Sequence, residues 1–295
     1  MKNLKFYKIL GLLVILASSF NSFAQISVPN VAFTYNQDFN SLAISGTGNA
    51  WTNNVTLVGW QLFNKTPAAI TTYDSGTGSA TAGAFMSYGS AASNERSLGG
   101  LASGGAYFGS PASGTVAGWI AVGFTNNTGS TITSFNVAFD GEQWRNGGNV
   151  TSQSMVLQYG EGASFTMVSN WITPGGNFDW SSPIATATAA AVDGNGAGKV
   201  SGKGGVISGL TWSAGSTLWI RWVENNDTGN DHGLAIDDFV LNNIITNTSC
   251  SISSADFLNI STCNDNGTPA ISTDDYYEAD VSVTFSNAPA TGFLQ

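Results

Sequence analysis

The clearest alternation of apolar and polar positions runs through residues 218–241, LWIRWVENNDTGNDHGLAIDDFVL. Leu218, Ile220 and Trp222 fall on one face and Trp219, Arg221 and Val223 on the other, which is the period of two that a strand requires. The return run sets Leu234, Ile236, Asp238 and Val240 against Ala235, Asp237, Phe239 and Leu241. The two runs read as a hairpin whose loop, 224–233, is longer than a tight turn, and long loops in compact domains often carry function. Residues 119–124 and 132–139 alternate in the same way around the turn Asn126-Asn127-Thr128-Gly129, and predict a second antiparallel hairpin with Phe135, Val137 and Phe139 in the core.

Shorter runs predict strands at 31–42, 85–88, 97–101 and 206–212, strand pairs within 51–63 and from 155–159 with 165–171, and an edge strand or extended loop at 185–191. The glycine-rich and small-residue stretches 71–84 and 193–205 read as loops. No segment keeps a 3.6-residue apolar period over ten or more positions. The fold class that follows is all-β: an antiparallel two-sheet jelly-roll sandwich, followed by a partial second β module. A propeller would need an internal repeat at blade length, and none is present.

Composition adds a compartment. Residues 1–24 carry Lys2, Lys5 and Lys8, then an apolar run, then Ser22-Phe23-Ala24, the layout of a secretory signal peptide cleaved near Ala24. The apolar run is too short to span a bilayer, and no later stretch approaches the roughly 20 apolar residues that a membrane helix needs. The expected organisation is signal peptide 1–24, sandwich 25–243, linker 244–249 and second module 250–295. Without the three leader lysines, six basic residues face nineteen acids, a net charge of −13. Phosphate binding needs clustered basic groups, so nucleic acid is excluded as a partner. Nine Trp and seventeen Phe supply ample core for a chain with few charges. Cys250 and Cys263 read as a disulfide closing a short loop, worth about 3 kcal/mol in an exported protein.

Three strings, SNERSLGG at 93–100, FTNNTGSTITSFNVAFDGEQWRNGG at 124–148 and the 218–241 run, together resemble a family of exported bacterial domains from Bacteroidetes, cyanobacteria and planctomycetes. GEQWR and AIDDF occur in the family's order and distance. The resemblance covers about residues 33–243; it implies a laminin-G-like or concanavalin-like jelly roll outside the cell and implies no settled activity. The tail from Cys250 is similar to immunoglobulin-like modules repeated in large secreted proteins.

Candidate chemistry divides into four sets. Hydrolytic acids could come from Glu142, Glu224, Asp227, Asp237 and Asp238, but the E-x-D-x-x-E pattern of jelly-roll glycosidases is absent, and His232 beside Asp231 lacks a nucleophile elbow, so the chain reads as non-catalytic. Asn225, Asp227, Asn230 and Asp231, with Asp237 on the return strand, offer the hard oxygen donors that calcium takes; the same residues are also good turn formers. Glu142 and Arg221 read as a buried charge pair fixing strand register, with Asp237 as the alternative partner for the guanidinium. A glycan needs aromatic faces flanked by planar polar groups: Trp144, Trp171, Phe178 and Trp180 are the aromatics near loops, and Gln143, Trp144, Arg145 and Trp180 form the expected ligand-binding set. The function expected is adhesion or glycan binding within a larger surface protein, with an extracellular glycan or a surface protein as partner and calcium as the cofactor. The alternative is an accessory domain of a secreted hydrolase, such as a nuclease or phosphoesterase, whose catalytic domain lies elsewhere.

Overall fold

The computed structural model describes residues 25–247 and 251–286. The expected signal peptide and Cys250 of the expected disulfide lie outside those residues; Cys263 is exposed. In chain order the strands are β1 (Ile26–Val28), β2 (Tyr35–Gln37), β3 (Asn49–Ala50), β4 (Trp60–Asn64), β5 (Thr72–Gly76) and β6 (Ala84–Tyr88). They continue as β7 (Ser97–Leu101), β8 (Thr115–Asn126), β9 (Ile132–Asn146), β10 (Ser154–Glu161), β11 (Trp180–Ser181) and β12 (Ala190–Ala191). The last are β13 (Lys199–Trp212), β14 (Thr217–Asn226), β15 (Gly233–Thr246), β16 (Ser251–Leu258) and β17 (Asp280–Ser286). Among the described residues the only helical turns are three short 3₁₀ segments, so the all-β expectation holds.

Two sheets make the sandwich. The six-stranded sheet runs β1-β8-β14-β10-β11, with β4 beside β1 on the outer edge of β8. The nine-stranded sheet runs β12-β9-β15-β7-β6-β5-β3, with β13 also on β9 and β2 also on β15. Pairings are antiparallel apart from β1 with β8 and β5 with β6. Among the described residues β16 and β17 pair only with each other, and their Ile252, Phe257, Val281 and Phe285 are exposed. Aromatic rings join the two sheets at the centre. Trp60 of β4 stacks on Trp222 of β14 at 5.8 Å, and both meet Phe239 of β15 edge-on at 5.5 Å, while Phe139 of β9 meets Trp222 at 5.4 Å. Burying such rings supplies the largest apolar areas available to a core, and edge-on pairs add about 0.5–1.5 kcal/mol each.

The main correction concerns connectivity. The 218–241 run is no hairpin: β14 pairs with β8 and β10, whereas β15 pairs with β9, β7 and β2, so residues 227–232 carry the chain from one sheet to the other. The turn 127–131 does the same between β8 and β9. Alternation reports which faces are buried and is silent about the partner strand. The phase of β15 is also broken. Ile236 and Phe239 both face the core, because the ladder is bulged between Asp237 and Val240 and Asp238 takes φ +49°.

Smaller corrections follow from packing. Residues 165–171 form no strand; a 3₁₀ turn and loop lay Phe165 and Val168 against Trp219 on the outer face of the six-stranded sheet. Residues 51–59 are turns that place Trp51 in the core, β5 lies within the expected loop 71–84, and β13 begins inside the expected loop 193–205. Ile244 is in the core and β15 continues to Thr246, so the sandwich extends past Asn243 into the expected linker.

Candidate functional site

Three places gather polar chemistry. The first is the outer face of the nine-stranded sheet. The core side of β9 carries Phe135, Val137 and Phe139, so Asp140, Glu142 and Trp144 point the other way. Register sets Glu142 opposite Ala235 of β15 and opposite Lys199 of β13, and Asp237 lies two residues along from Ala235 on the same face. Glu95, just before β7, completes a group in which Glu95, Glu142 and Asp237 bring carboxylate oxygens within 4.8 Å of one another. Glu142 is 0% exposed and Asp237 3%. Burial pushes the Glu142 carboxyl up to about 7 against hydrogen bonds from Ser97 and Trp144. Burial, then the neighbouring Glu142 charge, pushes Asp237 up to about 9. Lys199 makes its close contact elsewhere, 2.9 Å to Asp140 against 3.9 Å to Glu142 and to Asp238.

Trp144 and Trp180, expected to present faces to a ligand, are each 2% exposed. Trp144 stacks on Tyr88 and its indole N–H donates to Ser97 Oγ and Glu142 Oε2, both at 2.9 Å. Trp180 lies in the core over Gly141, where an added Cβ would sit 2.3 Å from its ring. Gln143 is also buried: its amide donates to the Ile184 carbonyl at 2.7 Å and its Oε1 accepts from the Ile184 N–H at 2.8 Å, pinning the chain that crosses β9. All three side chains are covered by the protein itself, which is why they offer no exposed binding platform.

The second place is a cleft of about 360 Å³ at the end of the sandwich, lined by Arg145, Asn226, Asn230, Asp231, Ser103 and Thr81 among others. Arg145 is half-buried there and donates to the Gly78 and Ser79 carbonyls. Of the expected calcium set, Asp227 and Asp231 come together: the Asp227 N–H donates to Asp231 Oδ1 at 2.7 Å. Asn225 is half-buried and Asn230 exposed, and the Asn230 carbonyl already accepts from Asn149 and Gln153. Asp237 is not among them, being about 13 Å along β15 from Gly233 at ~3.3 Å per residue. Beneath this loop Glu224 is 4% exposed, and burial, with Asp231 and Asp227 nearby, pushes its carboxyl up to about 8. His232 is buried, accepts the Gly147 N–H at Nδ1 at 2.9 Å, and burial lowers its pKa, so it serves as a neutral structural acceptor.

The third place is the outer face of the six-stranded sheet, and Arg221 is its centre. It does not pair with Glu142, which belongs to the other sheet. Its Nε donates to Gln158 Oε1 at 2.8 Å, and its guanidinium carbon lies 3.8 Å from the Trp171 ring centroid, 5.1 Å from Trp119 and 5.8 Å from Phe165. Aromatic faces therefore do for this cation what a carboxylate was expected to do. Desolvation lowers its pKa to about 10, leaving it charged at neutral pH. Register puts Gln61, Ala121, Arg221 and Gln158 in one row across β4, β8, β14 and β10. Arg221, Trp119, Trp171, Gln158 and Gln61 are all half-buried, so each keeps some surface in water.

Sequence reasoning missed Glu95 and Trp119 and did not join Trp171 to Arg221. The signal for Glu95 was in view: Glu95, Glu142 and Asp237 come one each from the three strings at 93–100, 124–148 and 218–241.

The fold and these sites define an all-β sandwich with polar surface sites. No protein-family model matches the chain, and no curated protein matches it. Among solved structures it is similar to the CBM22-1 xylan-binding domain from Paenibacillus barcinonensis Xyn10C, with 8% identity and a TM-score of 0.32 over 70% of this chain and 100% of that one. It is also similar to the Arthrobacter globiformis T6 isomalto-dextranase complexed with panose, with 12% identity and a TM-score of 0.27 over 72% of this chain and 33% of that one. TM-scores this low give neither likeness weight for fold or function. No helix among the described residues is long and apolar enough to cross a membrane.

Proposed function

We propose that this chain is a non-catalytic, exported module that binds a neutral glycan on the outer face of the six-stranded sheet. The observation that carries the reading is the Arg221 arrangement. A guanidinium is held over Trp171 and beside Trp119, fixed by Gln158 through Nε alone, and its four terminal N–H groups have no hydrogen-bond partner among the described residues. A sugar ring has an apolar face and a rim of hydroxyls, and half-exposed indoles beside free, forked N–H donors and planar amides match both. The charge of −13 expected after signal-peptide removal favours a neutral polysaccharide over an acidic one.

Affinity electrophoresis and calorimetry against a panel of neutral plant and bacterial polysaccharides test the reading. Trp171→Ala and Gln158→Ala should each weaken binding about tenfold, or ~1.4 kcal/mol. Gln158→Ala should do so with little change in Tm, since it removes only two partly exposed side-chain hydrogen bonds, from Arg221 and to Thr173. Absence of binding across the panel, or binding indifferent to both substitutions, would count against this site.

A further inference from the structure

The three carboxylates on the opposite sheet pose an electrostatic problem that the nearby cation relieves only at a distance, Lys199 Nζ lying 3.9 Å from Glu142 Oε1. Glu95, Glu142 and Asp237 converge from the turn before β7, from β9 and from β15. Glu142 Oε1, Asp237 Oδ1 and Glu95 Oε1 are buried atoms that accept no hydrogen bond. Glu142 Oε2 is held by Trp144, Glu95 Oε2 accepts from Asn195, and Lys199 sits closest to Asp140. Glu142 and Glu95 are thus each oriented by one oxygen, while each of the three carboxylates keeps one buried oxygen that accepts no hydrogen bond. A buried, unneutralised carboxylate is among the costliest groups a protein can hold, and three together repel one another.

We propose that Glu95, Glu142 and Asp237 form a calcium site that ties β7, β9 and β15 together. Ligands placed 2.3–2.6 Å from one Ca²⁺ lie at most about 5 Å apart, and one oxygen from each of the three carboxylates falls within that span. The donors are all hard carboxylate oxygens, with no thiol or imidazole in the group, which selects calcium over zinc. The site is separate from the 225–231 loop, where Asp231 and the Asn230 carbonyl are occupied by N–H donors from the protein.

Calorimetric titration of CaCl₂ into the EDTA-treated, desalted full chain should show one Ca²⁺ per chain with a Kd tighter than about 1 mM, the weak end for extracellular modules, and a Tm that rises with added calcium. Glu142→Gln with Asp237→Asn should abolish the heat and the Tm rise, while the calcium-free Tm stays at or above that of the native chain because the repulsion is gone. That second readout separates loss of a site from loss of the fold. Asp227→Asn with Asp231→Asn should leave calcium binding unchanged. No binding up to about 10 mM calcium would overturn the site, showing that the carboxylates share protons instead. Binding that survives the first pair of substitutions, or is lost with the second, would overturn it as well.

Discussion

Glu224 illustrates what a single residue does when the chain runs out of alternation. It follows Trp222 on the core-facing side of β14, at the bulge where β14 loses its register with β8, and ends up buried with Oε1 accepting no hydrogen bond. Its carboxyl titrates near 8 in the fold and near its ordinary 4.5 when unfolded. The folded chain therefore holds a proton that the unfolded chain has released between those values. Its stabilising effect is complete below about pH 4.5 and is lost as pH rises through 8, at up to ~1.4 kcal/mol per pH unit. Thermal melts from pH 5 to 8 in EDTA should show Tm falling, and Glu224→Gln should flatten that fall; an equally steep fall in the variant would show that this carboxyl is not the source. Side-chain roles were less legible than side-chain burial. Trp144, Trp180 and Trp171 look alike in sequence, each an indole near a loop, and only the cover laid over Trp144 and Trp180 distinguishes buried from half-exposed. Arg221 was legible as a cation needing a partner; that the partner is a set of rings depends on the 165–171 loop, whose path no local pattern encodes.

Among the elements, strands with strict alternation were readable and their neighbours were not. Phe135, Val137 and Phe139 face the core as the period of two requires. The runs at 119–124, 132–139, 218–223 and 234–241 are all strands, yet neither expected hairpin forms, because a short turn between two strands permits either pairing or a change of sheet. The bulge at Asp238 was hidden for a different reason: one extra residue shifts the phase without altering composition. Gly141, the first residue of GEQWR, owes its identity to β11, since any side chain there meets Trp180. Gly141→Ala should destabilise by about 1–3 kcal/mol through overpacking and shift the Trp fluorescence, measured by denaturant titration. A variant as stable as the native chain would mean that β11 moves freely.

At the scale of the molecule, the crossings at 127–131 and 227–232 have a consequence for how the sandwich comes into being. β8 and β14 belong to one sheet and the strands that follow them, β9 and β15, to the other, so the two sheets are interleaved along the chain. Neither sheet is a contiguous piece of sequence; no proteolytic fragment or truncation isolates one, and neither can be completed during synthesis before the other has nearly all its strands. Far-UV circular dichroism and Trp fluorescence should accordingly report one coincident unfolding transition for the sandwich, where separable transitions would mean that the sheets melt apart. Long-range pairings such as β1 with β8 and β2 with β15 must close large loops before they contribute, placing refolding in the slow, millisecond-to-second range of β-rich topologies. A chain built this way is woven rather than stacked, and its two faces, one bearing the aromatic patch and the other the carboxylates, can only be acquired together.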